Sequence, residues 1–352
     1  MYTEFYGLTD RPFQLTPDAR FYFGSRTHKK AMAYLGYGLA QGEGFIVITG
    51  DVGAGKSTLV AHLMATIDRA RLNAVSIVST QVEGDDMLRL AAQKMGIATD
   101  NVAKARLLDL VEERLTEEAS CGKRTLLIVD EAQNLPHSAL EELRMLSNYQ
   151  SGGRALLQIF LLGQPEFRDE LANSPRLEQL RQRVIATHHL DPMGAEEIEF
   201  YILHRLQVVG WQGRPQFDAD AFGAVYRHTG GIPRRVNQLA SRLLLFAAME
   251  RLDMIGAEAV EAVAADMASD SPVRAEEPVL RATPEPTAPA EPVQAAPRAF
   301  QERVGDLALE RRVASLEARL EEQERAIRRV LTLLVDWVEN DESPPSYRHH
   351  AA

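Results

Sequence analysis

The stretch Gly50-Asp51-Val52-Gly53-Ala54-Gly55-Lys56-Ser57, followed by Thr58, decides how the rest of the chain is read. It fits G-x-x-x-x-G-K-[ST], the loop that cradles phosphates, and its setting is the one the mechanism needs. Ahead of it runs Phe45-Ile46-Val47-Ile48-Thr49, an apolar β-branched run that predicts a buried strand. Behind it, Leu59, Val60, Leu63 and Met64 recur at helical spacing. The glycines let the backbone curl so that successive N–H groups point at one phosphate, and the positive end of the helix strengthens that field. On this reading Gly50, Asp51, Val52, Gly53, Ala54, Gly55, Lys56, Ser57 and Thr58 bind a nucleoside triphosphate. Lys56 reaches the β- and γ-phosphates, and Ser57 puts its hydroxyl on Mg²⁺. The alternative is a glycine-rich turn with a chance lysine. That alternative leaves unexplained why all four fixed positions are filled between a strand and a helix.

The second decisive stretch is Thr125-Leu126-Leu127-Ile128-Val129-Asp130-Glu131, four apolar residues running into two carboxylates. It predicts a central parallel strand with acids at its carboxyl end, where ligands sit in open α/β sheets. Asp130 is expected to help hold Mg²⁺, and Glu131 to orient and deprotonate the water that attacks the γ-phosphate. The bland reading of paired acids after a strand is a solvated loop or a helix cap. A further buried strand, Leu156 to Gly163, ends at Gln164, whose amide can bond the attacking water or the γ-phosphate. The competing reading makes Gln164 a turn residue before Pro165. Ala74 to Ser79 predicts one more strand, and 26–41, 85–94, 101–118 and 175–184 predict helices, the last rich in arginine. The fold class is therefore α/β, an αβα sandwich on a mainly parallel sheet.

From Asp191 the pattern turns to helices only, over 196–209, 219–229, 234–249 and 253–268, an all-α lid. Within it, Gly230-Gly231-Ile232-Pro233-Arg234-Arg235-Val236-Asn237 sets two arginines at a helix start. A cation at the positive end of a helix is unfavourable unless an anion lies near, which hints at a phosphate. At the other end of the chain, Tyr2, Phe5, Tyr6, Phe13, Phe21, Tyr22 and Phe23 crowd into the first two dozen residues. They either close the base side of the nucleotide site or plug a core, and the sequence leaves both open.

Residues 269–302 are rich in Pro, Ala and Glu and read as a disordered, semi-stiff linker. Beyond them Leu309, Val313, Leu316, Leu320, Gln323, Ile327, Val330, Leu334 and Trp337 alternate spacings of four and three. That is a coiled-coil seam over 303–340, expected to associate with itself or a partner rather than fold back. Residues 341–352 read as a disordered tail. The expected division is thus 1–44 for the aromatic segment and first helix, 45–190 for the core and 191–268 for the lid, before these appendages.

Bulk chemistry narrows the partners. The chain of 352 residues carries a formal charge of −11, divided as −7 over 1–270 and −4 over 271–352. An acidic balance in both parts argues against coating nucleic acid through bulk charge, so a nucleic-acid partner is not expected. Cys121 stands alone, which excludes an internal disulfide and suits a reducing compartment. With no apolar run of membrane-spanning length and no signal-peptide pattern, the expectation is a cytoplasmic protein.

With the phosphate loop, Asp130-Glu131-Ala132-Gln133, Gly163-Gln164-Pro165-Glu166 and Gly231-Ile232-Pro233-Arg234 in hand, the chain resembles a known family. These motifs, with Phe13, Thr16-Pro17-Asp18 and Tyr22, look like the AAA+ ATPases related to general secretion pathway protein A, over residues 1–268. Within that family the likeness is to ATPases of exosortase systems in exopolysaccharide gene clusters. The resemblance implies ATP as cofactor with Mg²⁺, a homo-oligomer, and a membrane-bound or envelope partner for 303–340. It implies sensor roles for Gln164 and Arg234, with Arg183 as the finger reaching a neighbouring subunit's nucleotide and Arg181 as its understudy. Two departures stand out. A linker and coiled coil replace the membrane span and periplasmic domain of the cell-wall relatives, and Ser79-Thr80 replaces a glutamate-holding asparagine. A DNA-bound transposition regulator and a nucleotide-gated scaffold with little turnover are the competing functions.

Overall fold

The computed structural model describes residues 2–78 and 83–270. In chain order the elements are α1 (Tyr2–Tyr6), α2 (Arg26–Gln41), β1 (Phe45–Gly50), α3 (Lys56–Thr66), β2 (Leu72–Val78), α4 (Gly84–Lys94), α5 (Lys104–Ser120) and β3 (Arg124–Asp130). Then follow α6 (His137–Leu146), β4 (Gln150–Ser151), β5 (Arg154–Ala155), β6 (Leu157–Gly163), α7 (Pro165–Asn173), α8 (Glu178–Arg181) and β7 (Val184–Leu190). The last are α9 (Ala195–Val208), β8 (Gln216–Phe217), α10 (Ala219–Thr229), α11 (Pro233–Met249), β9 (Met254–Ile255) and α12 (Ala257–Asp270).

Five strands form one parallel sheet in the order β2-β3-β6-β1-β7. Alternation along each strand explains its two layers of helices, since successive side chains leave on opposite faces. β3 sends Leu127 and Val129 to a core shared with Met87, Leu107, Val111, Leu143 and Phe167 of α4 to α7. Its other side chains, Leu126 and Ile128, enter a second core with Ala31 and Leu35 of α2 and Leu59 and Leu63 of α3. The inner strands β1 and β6 are buried at every position and β3 at all but Arg124, which is why they stand out in the sequence as apolar runs.

The edge strand is where expectation and structure part. Residues 175–184 do not make one helix: a 3₁₀ turn and α8 end at Arg181, and Val184 opens β7. β7 is half-exposed, reading Val-Ile-Ala-Thr-His-His-Leu, so it lacks the apolar run that marked its neighbours. The helix expected over 101–118 begins only at Lys104, because Asn101 takes a left-handed backbone at φ 58°. In the lid, α12 begins at Ala257 rather than Asp253. Met254 and Ile255 pair in parallel with Gln216 and Phe217, and Ile255 is wholly buried there.

The lid has its own core, built from α9 to α12 through Ile198, Ile202, Val225, Val236, Leu243 and Val260. Four residues of the N-terminal segment enter the same core: Tyr6, Leu8, Phe13 and Phe21. The Tyr6 hydroxyl donates to the Leu252 carbonyl at 2.9 Å, fastening this arm across the whole lid. α12 runs on to Asp270, into the first two residues expected of the linker; the rest of the linker, the coiled-coil seam, the tail and Ser79-Thr80 lie outside the described residues. Among the described residues, no helix is long and apolar enough to cross a membrane.

Candidate functional site

β1 ends at Gly50 and α3 begins at Lys56, so the loop between them turns the chain sharply at the carboxyl end of the sheet. Two of its glycines are obligatory. Gly53 has φ 89°, and a Cβ there would fall 2.4 Å from Arg234 Cβ; Gly55 has φ 97°, and its Cβ would meet His28 Nε2 at 2.7 Å. The loop is therefore clamped from two sides, by the lid through Arg234 and by α2 through His28. The Arg234 backbone N–H also donates to the Gly53 carbonyl at 3.1 Å.

A cleft of about 300 Å³ opens over this loop, and Val52, Gly53, Gly55, Lys56, Ser57 and Thr58 line it together with Glu131, Gln164 and Arg234. Lys56 is buried, and its ammonium donates to the Gly50 and Asp51 carbonyls at 2.7 and 3.2 Å. Burial pulls its pKa below the usual lysine value, opposed by the charges of Glu131 and Asp130. An anionic phosphate at this place would favour its charged form. Ser57 Oγ donates to Asp130 Oδ2 at 3.0 Å, so a hydroxyl and a carboxylate from β3 lie side by side. Paired hard oxygen donors of this kind suit Mg²⁺, which takes one or two protein oxygens and shares the rest with phosphate and water.

Glu131 follows β3 with φ 56° and ψ 41°, a left-handed backbone that is unusual for a residue with a side chain. That turn swings its carboxylate away from the strand axis and into the cleft. Two amides hold it: Gln133 Nε2 donates to Glu131 Oε2, and Gln164 Nε2 donates to the same oxygen at 3.4 Å. Gln133 is in turn fixed by the Gln164 backbone N–H, which donates to its Oε1 at 3.0 Å. Both amides therefore occupy Oε2 and leave Oε1 for a proton. In the sequence Gln133 stands only as the end of Asp130-Glu131-Ala132-Gln133, and its spacing two residues after Glu131 is the one signal of this role.

Arg183 stands apart. Its carbonyl accepts from the Phe45 N–H at the start of β1, the end of the sheet opposite the phosphate loop. Its guanidinium donates to Ser147 Oγ at 3.0 Å beside Glu43, Gly44 and Ile185. Arg181 is tied to Glu178 and to the carbonyls of Leu171 and Ala172. Neither reaches the cleft of its own chain.

The cleft's far wall comes partly from the aromatic segment at the start of the chain. Leu15, Pro17, Phe21, Tyr22 and Phe23 of the arm line it, and Phe21 also enters the lid core. Tyr22 stacks on His62 of α3 with ring centroids 3.8 Å apart. His28 is buried with Nδ1 at 2.7 Å from Ser25 Oγ, and burial lowers its pKa from 6.5 to about 4. Tyr201, Arg205 and Asn237 of the lid complete the wall.

A parallel sheet in this order, with a phosphate loop after its inner strand and a helical lid over it, defines a P-loop NTPase of the AAA+ class. Residues 39–171 match the family described as AAA domain. General secretion pathway protein A of Aeromonas hydrophila is 36% identical over 248 residues, which make up 70% of this chain and 45% of that protein. The chain thus spans less than half the length of that relative. Among solved structures, Cdc6p from Pyrobaculum aerophilum is similar at a TM-score of 0.58 and 18% identity, over 74% of this chain and 71% of that one. The ADP form of the ORC2 protein from Aeropyrum pernix is similar at 0.53 and 16%, over 74% and 73%; these two show the fold. Residues 39–171 thus carry an AAA domain on the P-loop AAA+ fold, and the chain is similar over 248 residues to general secretion pathway protein A.

Proposed function

We propose that this chain hydrolyses ATP to drive the assembly or regulation of an envelope polysaccharide production or export system. The observation that carries hydrolysis is Glu131: its carboxylate faces the cleft, held on one oxygen by two amides, beside Lys56, Ser57 and Asp130. Ser57 and Asp130 would hold Mg²⁺, which when bound offsets charge on the β- and γ-phosphates. Lys56 binds the same phosphates. Glu131 takes the proton of the attacking water on Oε1, while Gln133 and Gln164 fix its direction. Arg234, held against Gly53 from the lid, reads the γ-phosphate. Arg183, facing away from its own cleft, completes the site of a neighbouring copy in a homo-oligomer.

The envelope setting rests on the likeness to a protein named for the general secretion pathway and on the motif resemblance to exosortase-associated ATPases. The coiled-coil stretch 303–340 would dock the assembly to itself or to a membrane-bound partner, keeping a cytoplasmic protein at the inner membrane. Phosphate release by the purified full chain tests the enzymatic part. Glu131→Gln is expected to lower the rate at least about 100-fold while still binding ATP. Arg183→Ala is expected to bind ATP normally and hydrolyse about 10³-fold more slowly. Undiminished release by Glu131→Gln would leave a nucleotide-gated scaffold, and normal turnover by Arg183→Ala would remove that residue from the site.

A further inference from the structure

Arg205 is a charged group where charge is expensive. It is 6% exposed, and among the described residues its hydrogen bonds go to no carboxylate. Neutral acceptors hold it instead: Nε donates to the Pro12 carbonyl at 2.6 Å and Nη2 to the Gln14 carbonyl at 3.2 Å. Nη1 donates to the Tyr201 hydroxyl at 3.0 Å, and the guanidinium lies over the Phe21 ring, 4.6 Å from its centroid. The Tyr201 hydroxyl is 2.8 Å from Asn237 Oδ1. Tyr201 and Asn237 are themselves 4% and 6% exposed, and all three residues line the nucleotide cleft.

The protons in this chain can be placed by elimination. A guanidinium only donates, so the phenol oxygen accepts from Arg205. The phenol's own proton, buried, then needs an acceptor, and Asn237 Oδ1 is the one beside it. With Oδ1 taken, the amide's Nδ2 is turned the other way, and among the described residues it has no acceptor. An NH₂ group on a cleft wall, oriented by two residues and without an acceptor among the described residues, has the form of a ligand contact. It lies one helical turn beyond Arg234 on α11, and its chain of hydrogen bonds runs back to the arm. The phosphate end of the ligand is already served by the loop.

We propose that Asn237, oriented by the Tyr201 hydroxyl and Arg205, binds the nucleoside part of the nucleotide by donating its amide N–H to an acceptor on the base or ribose. The proposal rests on the nucleotide reading of the cleft given above. It makes Asn237 a binding residue and Tyr201 and Arg205 positioning residues. It also makes the ligand a nucleoside triphosphate, as distinct from a bare polyphosphate.

Tripolyphosphate and ATP separate the two ends of the cleft when titrated against the purified full chain. Wild type is expected to bind ATP at least about tenfold more tightly than tripolyphosphate. Asn237→Ala and Tyr201→Phe should each weaken ATP about five- to tenfold and leave tripolyphosphate within twofold, as one oriented hydrogen bond is worth about that factor. Unchanged tripolyphosphate binding also shows that the variants fold. Equal weakening of both ligands, an unchanged ATP affinity, or a wild type that binds both ligands alike would each overturn the proposal. Lys56→Ala distinguishes its failure from that of the underlying reading: the site stands if this variant loses both ligands, and falls if it keeps them.

Discussion

The sheet and the lid bury their apolar surface in different ways. In the sheet, the strands supply both faces and the helices between and beside them cover those faces, so the buried residues of both cores lie within one continuous stretch, Ala31 to Leu190. The lid cannot close on its own helices. It takes Tyr6, Leu8, Phe13 and Phe21 from a segment about two hundred residues away, with Thr9 donating its hydroxyl to the Val209 carbonyl at 3.0 Å. One consequence is functional: the arm that completes the lid's core also lines the nucleotide cleft, so packing of the lid and shape of the site are decided by one segment.

The comparison breaks most easily at Phe13, which is 2% exposed within the lid core. Phe13→Ala is expected to cost about 3–5 kcal/mol, the usual range for an aromatic removed from a closed core. The loss should be local. In amide hydrogen exchange, α9 to α11 should lose protection while β1, β3 and β6 keep theirs. Equal loss in both would mean that sheet and lid unfold as one cooperative body.

This difference also decides what could be read in advance. β1, β3 and β6 are legible because burial on both faces forces continuous Val, Ile and Leu, and the phosphate loop and Asp130-Glu131 are legible because their chemistry fixes residue types at fixed spacings. β7 was not, since an edge strand covered on one side carries Thr187, His188 and His189 among its residues. The arm's aromatics announced burial without naming what they would be buried against, because that contact spans the chain and leaves no period. Gln133 and Asn237 lay inside stretches already quoted, yet their roles come from side chains meeting across elements. His28 and Arg205 gave no local signal at all.

The seam between the two regions offers a smaller effect with a definite sign. Burial holds His28 neutral, with its pKa lowered from 6.5 to about 4. An unfolded chain takes up the proton as the pH falls below about 6.5, and the folded one resists until about 4. Stability from His28 is therefore complete above that window and is lost through it on acidification, about 3 kcal/mol in all. Burial lowers the pKa of His188 and His204 too, so all three share the acid limb. His28→Gln should flatten stability against pH between about 7 and 4.5 without abolishing the slope, measured by denaturant unfolding at each pH. Parallel curves for the variant and wild type would mean that His28 takes up its proton in the fold as readily as in the unfolded chain.

The smallest effect concerns the ion pair that visibly bridges α2 and the lid. Arg26 Nη2 lies 2.7 Å from Glu196 Oε1, but the two side chains are 81% and 61% exposed. Water and salt screen such a pair, so Arg26→Ala should cost less than about 1 kcal/mol. Glu197 beside it is different in kind. One of its oxygens accepts from the Arg26 backbone N–H at 2.8 Å, at the start of α2, and the other from the Gly194 N–H at 3.1 Å, at the start of α9. Each helix start has N–H groups that its own turns cannot satisfy, and a carboxylate there also meets the positive end of both dipoles. Glu197→Ala should therefore cost more than Arg26→Ala, about 1–2 kcal/mol, and the loss should persist in high salt, where the exposed pair is already screened. A thermal unfolding series at low and high salt reads both. If the ranking reverses, the joint between sheet and lid is held by surface charge, and the backbone N–H groups at these two helix starts find water as good a partner.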